Sequence, residues 1–245
     1  KDIFDKLNVS KCDSYEEHLN KHNVIYMSFN VKNVQFKTYE DYRDFFIDGL
    51  ISDLRELYPN INSRDPISKI FNDVYTSIGE GFIFIIDEWD YIFSNQPYKD
   101  TDKMNFLEFL TDLLKDRAYV EFAYMTGILP IAKYFSTSFC NMFDEYSMVT
   151  DDKYGNYFGF TQYEVEKLCA KQDVVTLEEL EEWYNGYYTV FGNKVYNPRS
   201  VCFALDRGMC RSYWTNTGKM DEIIECIQNN VDAVKDDILK MIEGS

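Results

Sequence analysis

The run from Gly81 to Asp90, GFIFIIDEWD, constrains the fold of this chain more than any other stretch. Five consecutive apolar residues, Phe82 to Ile86, lead directly into two carboxylates, Asp87 and Glu88. A continuous apolar run bounded by a glycine and a charged cluster reads as a strand buried on both faces. Such strands belong to parallel sheets covered by helices, so the expected class is α/β with a mostly parallel sheet. Open parallel sheets bind ligands outside the carboxyl ends of their strands, which is where the two acids fall.

Apolar residues followed by Asp-Glu form the Walker B pattern of nucleoside triphosphatases. There the Asp helps to hold Mg²⁺ and the Glu polarises the attacking water. The alternative is that the two acids only mark where a strand leaves the core. A third reading, with Asp87, Glu88 and Asp90 as a metal-dependent phosphodiesterase cluster, is opposed by strand geometry, because consecutive residues point to opposite faces.

Two more runs supply strands. Asn23 to Asn30, NVIYMSFN, is β-rich and ends in polar residues, and Val120 to Met125, VEFAYM, hands over to Thr126 and Gly127. A threonine at the end of a strand beside Walker B can bond a γ-phosphate or the attacking water, the role called sensor 1; it can equally cap the following turn. Helices are expected from Thr38 to Leu57, with Tyr42, Phe46, Leu50 and Leu54 at helical spacing, from Ile67 to Ile78, and around Phe106 to Leu114. Ser14 and Glu17 form a capping box for a short helix carrying His18. His18 and His22 lie one turn apart with no third ligand in view, and read as an exposed face. Trp89 to Asp102 reads as a surface loop, and Leu129 to Phe143 as a partly helical segment.

Tyr157 to Phe160 is expected as a short final strand, followed by helices capped at Thr161–Glu164 and Thr176–Glu179. Gly186 to Asn197 alternates around a Gly-Asn pair and reads as a β-hairpin. Asn197-Pro198 then starts a helix to about Leu205, and an acidic helix from Asp221 closes the chain. The expected organisation is an α/β core over 1–172 and a small helix-hairpin-helix, winged-helix-like subdomain over 173–245.

Composition narrows the function. With 42 acidic against 25 basic residues, net charge is −17, which opposes direct nucleic-acid binding through phosphate neutralisation. The six cysteines are scattered without a CxxC pair, which disfavours a disulfide framework or zinc site and fits a reducing cytoplasm. No apolar run reaches membrane-span length and no signal-peptide pattern opens the chain. The start at Lys1 reads as that of a fragment.

In order along the chain come IIDEWD (85–90), MTGILPI (125–131), FDEYSM (143–148), YFGFTQYEV (157–165), WYNGY (183–187), VYNPRSV (195–201) and YWTNTG (213–218). Together they resemble the bacterial and archaeal AAA-ATPase-like family, P-loop proteins often fused to a C-terminal PD-(D/E)XK nuclease-like domain. The likeness spans Val24 to Gly218. It implies a P-loop NTPase-like sheet, ATP and Mg²⁺ as cofactors, and a nuclease-like domain as fused or associated partner. Asp87 falls on the magnesium-holding acid, Glu88 on the catalytic acid and Thr126 on the polar strand exit that meets the nucleotide. Lys133 lies where relatives carry a basic residue, Asn197 and Pro198 match a capping signature, and Arg199, Arg207 and Arg211 are undiscriminated candidates for an arginine finger.

One part of the family pattern is missing, for the sequence contains no Gly-x-x-x-x-Gly-Lys-Ser/Thr. Gly79 and Gly81 precede a strand and lack the Lys-Ser/Thr. The resemblance places the P-loop, with its own strand, upstream of Lys1, so this chain would hold only the Walker B half of an ATP-hydrolysing site. Loss of that strand is expected to leave two neighbouring strand edges unpaired in the core. The competing expectation is a degenerate ATPase fold serving as a non-catalytic binding module.

Overall fold

The computed structural model describes residues 3–31, 34–94, 98–129, 142–146, 153–184 and 186–213. They fall in two compact units, Lys1–Asp144 and Glu145–Ser245.

The first unit has the expected α/β architecture. After the short helix α1 (Tyr15–His18), strands β1 (Asn23–Ser28), β2 (Phe82–Asp87) and β3 (Val120–Met125) form a parallel sheet in the order β1-β2-β3. Helices α2 (Tyr39–Leu57) and α3 (Ile67–Ile78) connect β1 to β2, and α4 (Tyr91–Ser94) and α5 (Asp100–Leu114) connect β2 to β3. Thr38 begins α2 by accepting the Asp41 N–H on its hydroxyl at 3.1 Å, a cap worth about 1 kcal/mol. Gly79 ends α3 in the left-handed conformation, φ 74°, where any Cβ would be strained. The capping box expected at Ser14 does not form; its side chain makes no cap bond and α1 is a single turn.

Among the described residues the core lies on one side of the sheet. Phe82, Phe84 and Ile86 are buried against the helices. The Phe71 ring of α3 sits 5.1 Å from that of Phe82 and 5.3 Å from that of Phe84. Phe29, just beyond β1, meets Phe46 of α2 at 4.7 Å and Phe106 of α5 at 4.9 Å. These edge-on rings add to the area they bury.

The alternate residues of β2 correct the expectation of a strand buried on both faces. Ile83 and Ile85 are half-buried. Register places Val24, Ile83 and Phe122 side by side on the opposite face, and Tyr26, Ile85 and Tyr124 likewise. Val24, Tyr26, Phe122 and Tyr124 are 52%, 63%, 56% and 55% exposed. No described residue covers that face, so the apolar run marks a strand with one packed and one open side. Pairing is continuous across β2, and the unpaired edges among the described residues are the outer ones of β1 and β3.

Trp89 to Asp102 is not a surface loop throughout. Trp89, Asp90 and Ile92 are buried, at 2%, 4% and 0% exposure, and only then does the chain emerge toward α5.

The second unit contains β4 (Phe160–Thr161), α6 (Gln162–Cys169), α7 (Leu177–Tyr184), β5 (Tyr187–Tyr188), β6 (Lys194–Tyr196) and α8 (Pro198–Arg207). Its antiparallel sheet has the order β4-β6-β5, so the hairpin forms as expected. Of the strand expected at Tyr157 to Phe160 only Phe160 pairs, in this antiparallel sheet, while Gly155–Tyr157 forms a 3-10 turn. Both capping boxes close: Thr161 N–H donates to Glu164 Oε2 at 2.9 Å, and Thr176 N–H to Glu179 Oε2 at 2.8 Å. Asn197 caps α8 by accepting the Ser200 N–H at 3.0 Å, with Pro198 next in line. Val165 of α6 packs with Leu180, Tyr196 and Val201, so α6 shares the core of this unit. The segments holding Lys133 and the acidic C-terminal helix lie outside the described residues.

Candidate active site

All three strands of the parallel sheet point their carboxyl ends the same way, and polar residues collect there. β1 continues past Phe29 to Asn30, β2 ends in Asp87-Glu88, and β3 ends in Thr126. Asp87 lies on the same side of β2 as Ile83 and Ile85, so its carboxylate emerges from the open face. The Thr126 hydroxyl donates to Asp87 Oδ1 at 2.5 Å, and the Tyr26 hydroxyl approaches Oδ2 at 3.4 Å. Each carboxylate oxygen can accept two bonds and here accepts one, so lone pairs remain for a further ligand.

Glu88 departs from the strand abruptly. Its φ is +51°, a left-handed conformation uncommon outside glycine. The turn this makes sends the Glu88 side chain into solvent while Trp89 and Asp90 drop into the core. The Glu88 carboxylate is not loose: Asn30 Nδ2 donates to its Oε2 at 2.5 Å. The sheet therefore brings the expected Asp87, Glu88 and Thr126 together and adds Asn30 and Tyr26. Asn30 was within reach of the rule that singled out Thr126, a polar residue at a strand exit beside the acids. Tyr26 carries no such signal, since a tyrosine in mid-strand reads as packing.

Asp90 does not join its two acidic neighbours. Its Oδ2 accepts the backbone N–H groups of Ile128 and Leu129 at 2.8 and 2.7 Å. The three-acid phosphodiesterase arrangement is therefore not formed, and no group of three or more metal-ligating side chains occurs among the described residues.

The donor set fits one half of a magnesium–nucleotide site. Asp87 and Glu88 offer hard oxygen acceptors suited to a hydrated Mg²⁺, and Thr126 offers a hydroxyl beside them. The sequence contains no Gly-x-x-x-x-Gly-Lys-Ser/Thr phosphate-binding loop. The arginine candidates lie in the second unit. The Arg199 and Arg207 guanidinium groups stand over the Phe203 ring at 4.7 and 4.8 Å, and Arg207 also reaches Tyr213 at 5.4 Å. Arg211 engages the Tyr184 hydroxyl through its backbone N–H and C=O. Stacking of this kind accounts for Arg199 and Arg207 without a nucleotide.

A family model described as Predicted AAA-ATPase matches residues 1–135, more than half of the 245. The chain belongs to this AAA-ATPase-like family. Neither a curated protein nor a solved structure matches it. The AAA-ATPase-like match takes in the whole parallel sheet together with Asn30, Asp87, Glu88, Asp90 and Thr126. The likeness drawn from the sequence ran on to Gly218; its motifs from Phe143 onward lie beyond the match. No described helix is long and apolar enough to cross a membrane.

Proposed function

We propose that this chain carries the acid-bearing half of an ATP-hydrolysing site of the Walker B type. The observation that carries the reading is the convergence of Asn30, Asp87, Glu88 and Thr126 at the carboxyl edge of one parallel sheet, with Asp87 and Thr126 hydrogen-bonded to each other. Asp87 would hold Mg²⁺, directly or through its water shell, and the metal would supply charge neutralisation at the phosphates. Glu88 orients the attacking water and accepts its proton, with Asn30 fixing the direction of the carboxylate. Thr126, whose hydroxyl donates to Asp87, would hold that carboxylate in place for the metal and nucleotide. Turnover also requires a phosphate cradle of backbone N–H groups and a cation, which these four residues do not supply. A nuclease-like partner, implied by the sequence resemblance, belongs to the same proposal.

Glu88→Gln tests it in the intact protein. The amide keeps shape and neutralises the base, so ATP–Mg²⁺ binding should persist while turnover falls by ~10²-fold or more. Unchanged hydrolysis would remove Glu88 from the mechanism. A second reading, a degenerate ATPase fold used as a binding module, is favoured by the missing Gly-Lys-Ser/Thr loop. Calorimetric titration separates the two, because heat of ATP–Mg²⁺ binding at micromolar concentration supports the first and none supports the second.

A further inference from the structure

The acidic run places its third carboxylate, Asp90, where no ligand can reach it. Asp90 is 4% exposed, and its Oδ2 binds two consecutive backbone N–H groups, those of Ile128 and Leu129, in the segment that leaves β3. The same segment is held at two more points. Thr126 N–H donates to Ile86 C=O at 2.8 Å, and Trp89 N–H donates to Thr126 C=O at 3.0 Å. Gly127, between them, lies so close to the indole that a Cβ there would fall 2.5 Å from Trp89 Nε1 and 2.9 Å from Asp90 Oδ1. Glycine is thus required at 127 by close approach, and the loop is pressed onto Trp89 and Asp90 as a latch.

We infer that Asp90 is a positioning residue for the candidate site: by gripping the 128 and 129 amides it fixes Thr126, and through the Thr126 hydroxyl it fixes Asp87. The chemical logic is direct. A carboxylate accepting two amide N–H groups makes charge-assisted bonds, roughly twice as strong as neutral ones. Asp90 itself is buried beside the Trp89 indole, so the accepting side of these bonds is withdrawn from water even though Ile128 is exposed. The left-handed turn at Glu88 is what allows a single tetrapeptide to present two acids to solvent and drive the third inward. Asp87 and Glu88 face the chemistry; Asp90 sets the strand exit that Asp87 depends on. The catalytic consequence rests on the ATPase reading above, whereas the latch itself does not.

The experiment uses Asp90→Asn and Asp90→Ala in the full-length protein, each with and without Thr126→Val. Amide hydrogen exchange at Ile128 and Leu129 reads the latch. Protection should fall about tenfold or more in Asp90→Ala and less in Asp90→Asn, which keeps the volume and one acceptor oxygen. Unchanged protection overturns the proposal. Steady-state kinetics reads the consequence: Asp90→Ala should lower kcat by up to ~10²-fold with KM for ATP–Mg²⁺ nearly unchanged. In the Thr126→Val background the same substitution should lower it little further. An unaltered kcat, or losses that simply multiply, would overturn it, since a merely structural role lowers thermal stability without that split or that non-additivity. If the wild-type protein binds no ATP, the ATPase reading falls, and exchange at 126–129 decides for or against the latch by itself.

Discussion

Glu88 sits at φ +51°, so its backbone can be tested separately from its carboxylate. Replacing it by alanine or by glycine deletes the same side chain and the same bond from Asn30. The two variants then differ in what a Cβ costs in that conformation and in the freedom of the unfolded chain. For an L-residue the left-handed region costs about 1–2 kcal/mol. Glycine escapes that cost but gives up about 0.4–1 kcal/mol through its freer unfolded chain. The net expectation is that Glu88→Gly is more stable than Glu88→Ala by about 1 kcal/mol, the reverse of the order at an ordinary position. With a urea dependence of about 2 kcal/mol per molar, the midpoints should differ by about 0.5 M. Buried Trp89 is the natural fluorescence probe of the first unit, once Trp183 and Trp214 are replaced by phenylalanine. A Glu88→Ala midpoint equal to or above that of Glu88→Gly would refute the left-handed turn, and with it the account of how Glu88 and Asp90 part company.

Two further substitutions and one titration probe the rest of the unit. Phe84 and Tyr124 occupy opposite faces of the sheet at 0% and 55% exposure, so Phe84→Ala should cost about 3–5 kcal/mol and Tyr124→Ala less than about 1 kcal/mol. Similar losses in urea melts would mean that the second face is covered. Tyr42 is buried and donates its hydroxyl to Phe29 C=O at 2.9 Å; burial, then the neighbouring Tyr98 and Tyr91 hydroxyls, push its pKa well above the ordinary 10.0. The folded state therefore prefers the neutral phenol. That contribution is fully present below pH 10.0 and is lost as pH rises toward the folded value, so urea midpoints should decline as pH is raised above 10.0. A midpoint that climbs there would contradict the burial of Tyr42.

Local chemistry made much of this legible in the sequence. Thr38, Thr161, Thr176 and Asn197 cap helices as their spacing foretold, because a cap is settled within four residues. The strand exits were likewise readable, since a polar residue ending an apolar run has few alternatives. What escaped was set by distant partners. The one-sided burial of Phe82 to Ile86 depends on where helices pack, and an all-apolar run is silent on that. The strand expected at Tyr157 to Phe160 proved to be Phe160–Thr161 in an antiparallel sheet, and nothing in two residues declares which sheet they will join. Strand geometry already spoke against Asp90 as a third site acid, but its actual partners, the amides of Ile128 and Leu129 about forty positions away, could not be read from the sequence. At Ser14 a good local signal failed, because a one-turn helix with no buried residue has nothing to hold it.

The open side of the sheet also has a calorimetric consequence. Unfolding raises heat capacity through the apolar surface it newly exposes, by about 12–15 cal/mol/K per residue in ordinary domains. Val24, Tyr26, Phe122 and Tyr124 are already largely in water in the folded state and add little to that change. The first unit should therefore show a smaller heat-capacity increment than its length would suggest, and a correspondingly flatter stability curve. Cooling should weaken it less, and its stability should depend less on temperature than on the integrity of the single packed face.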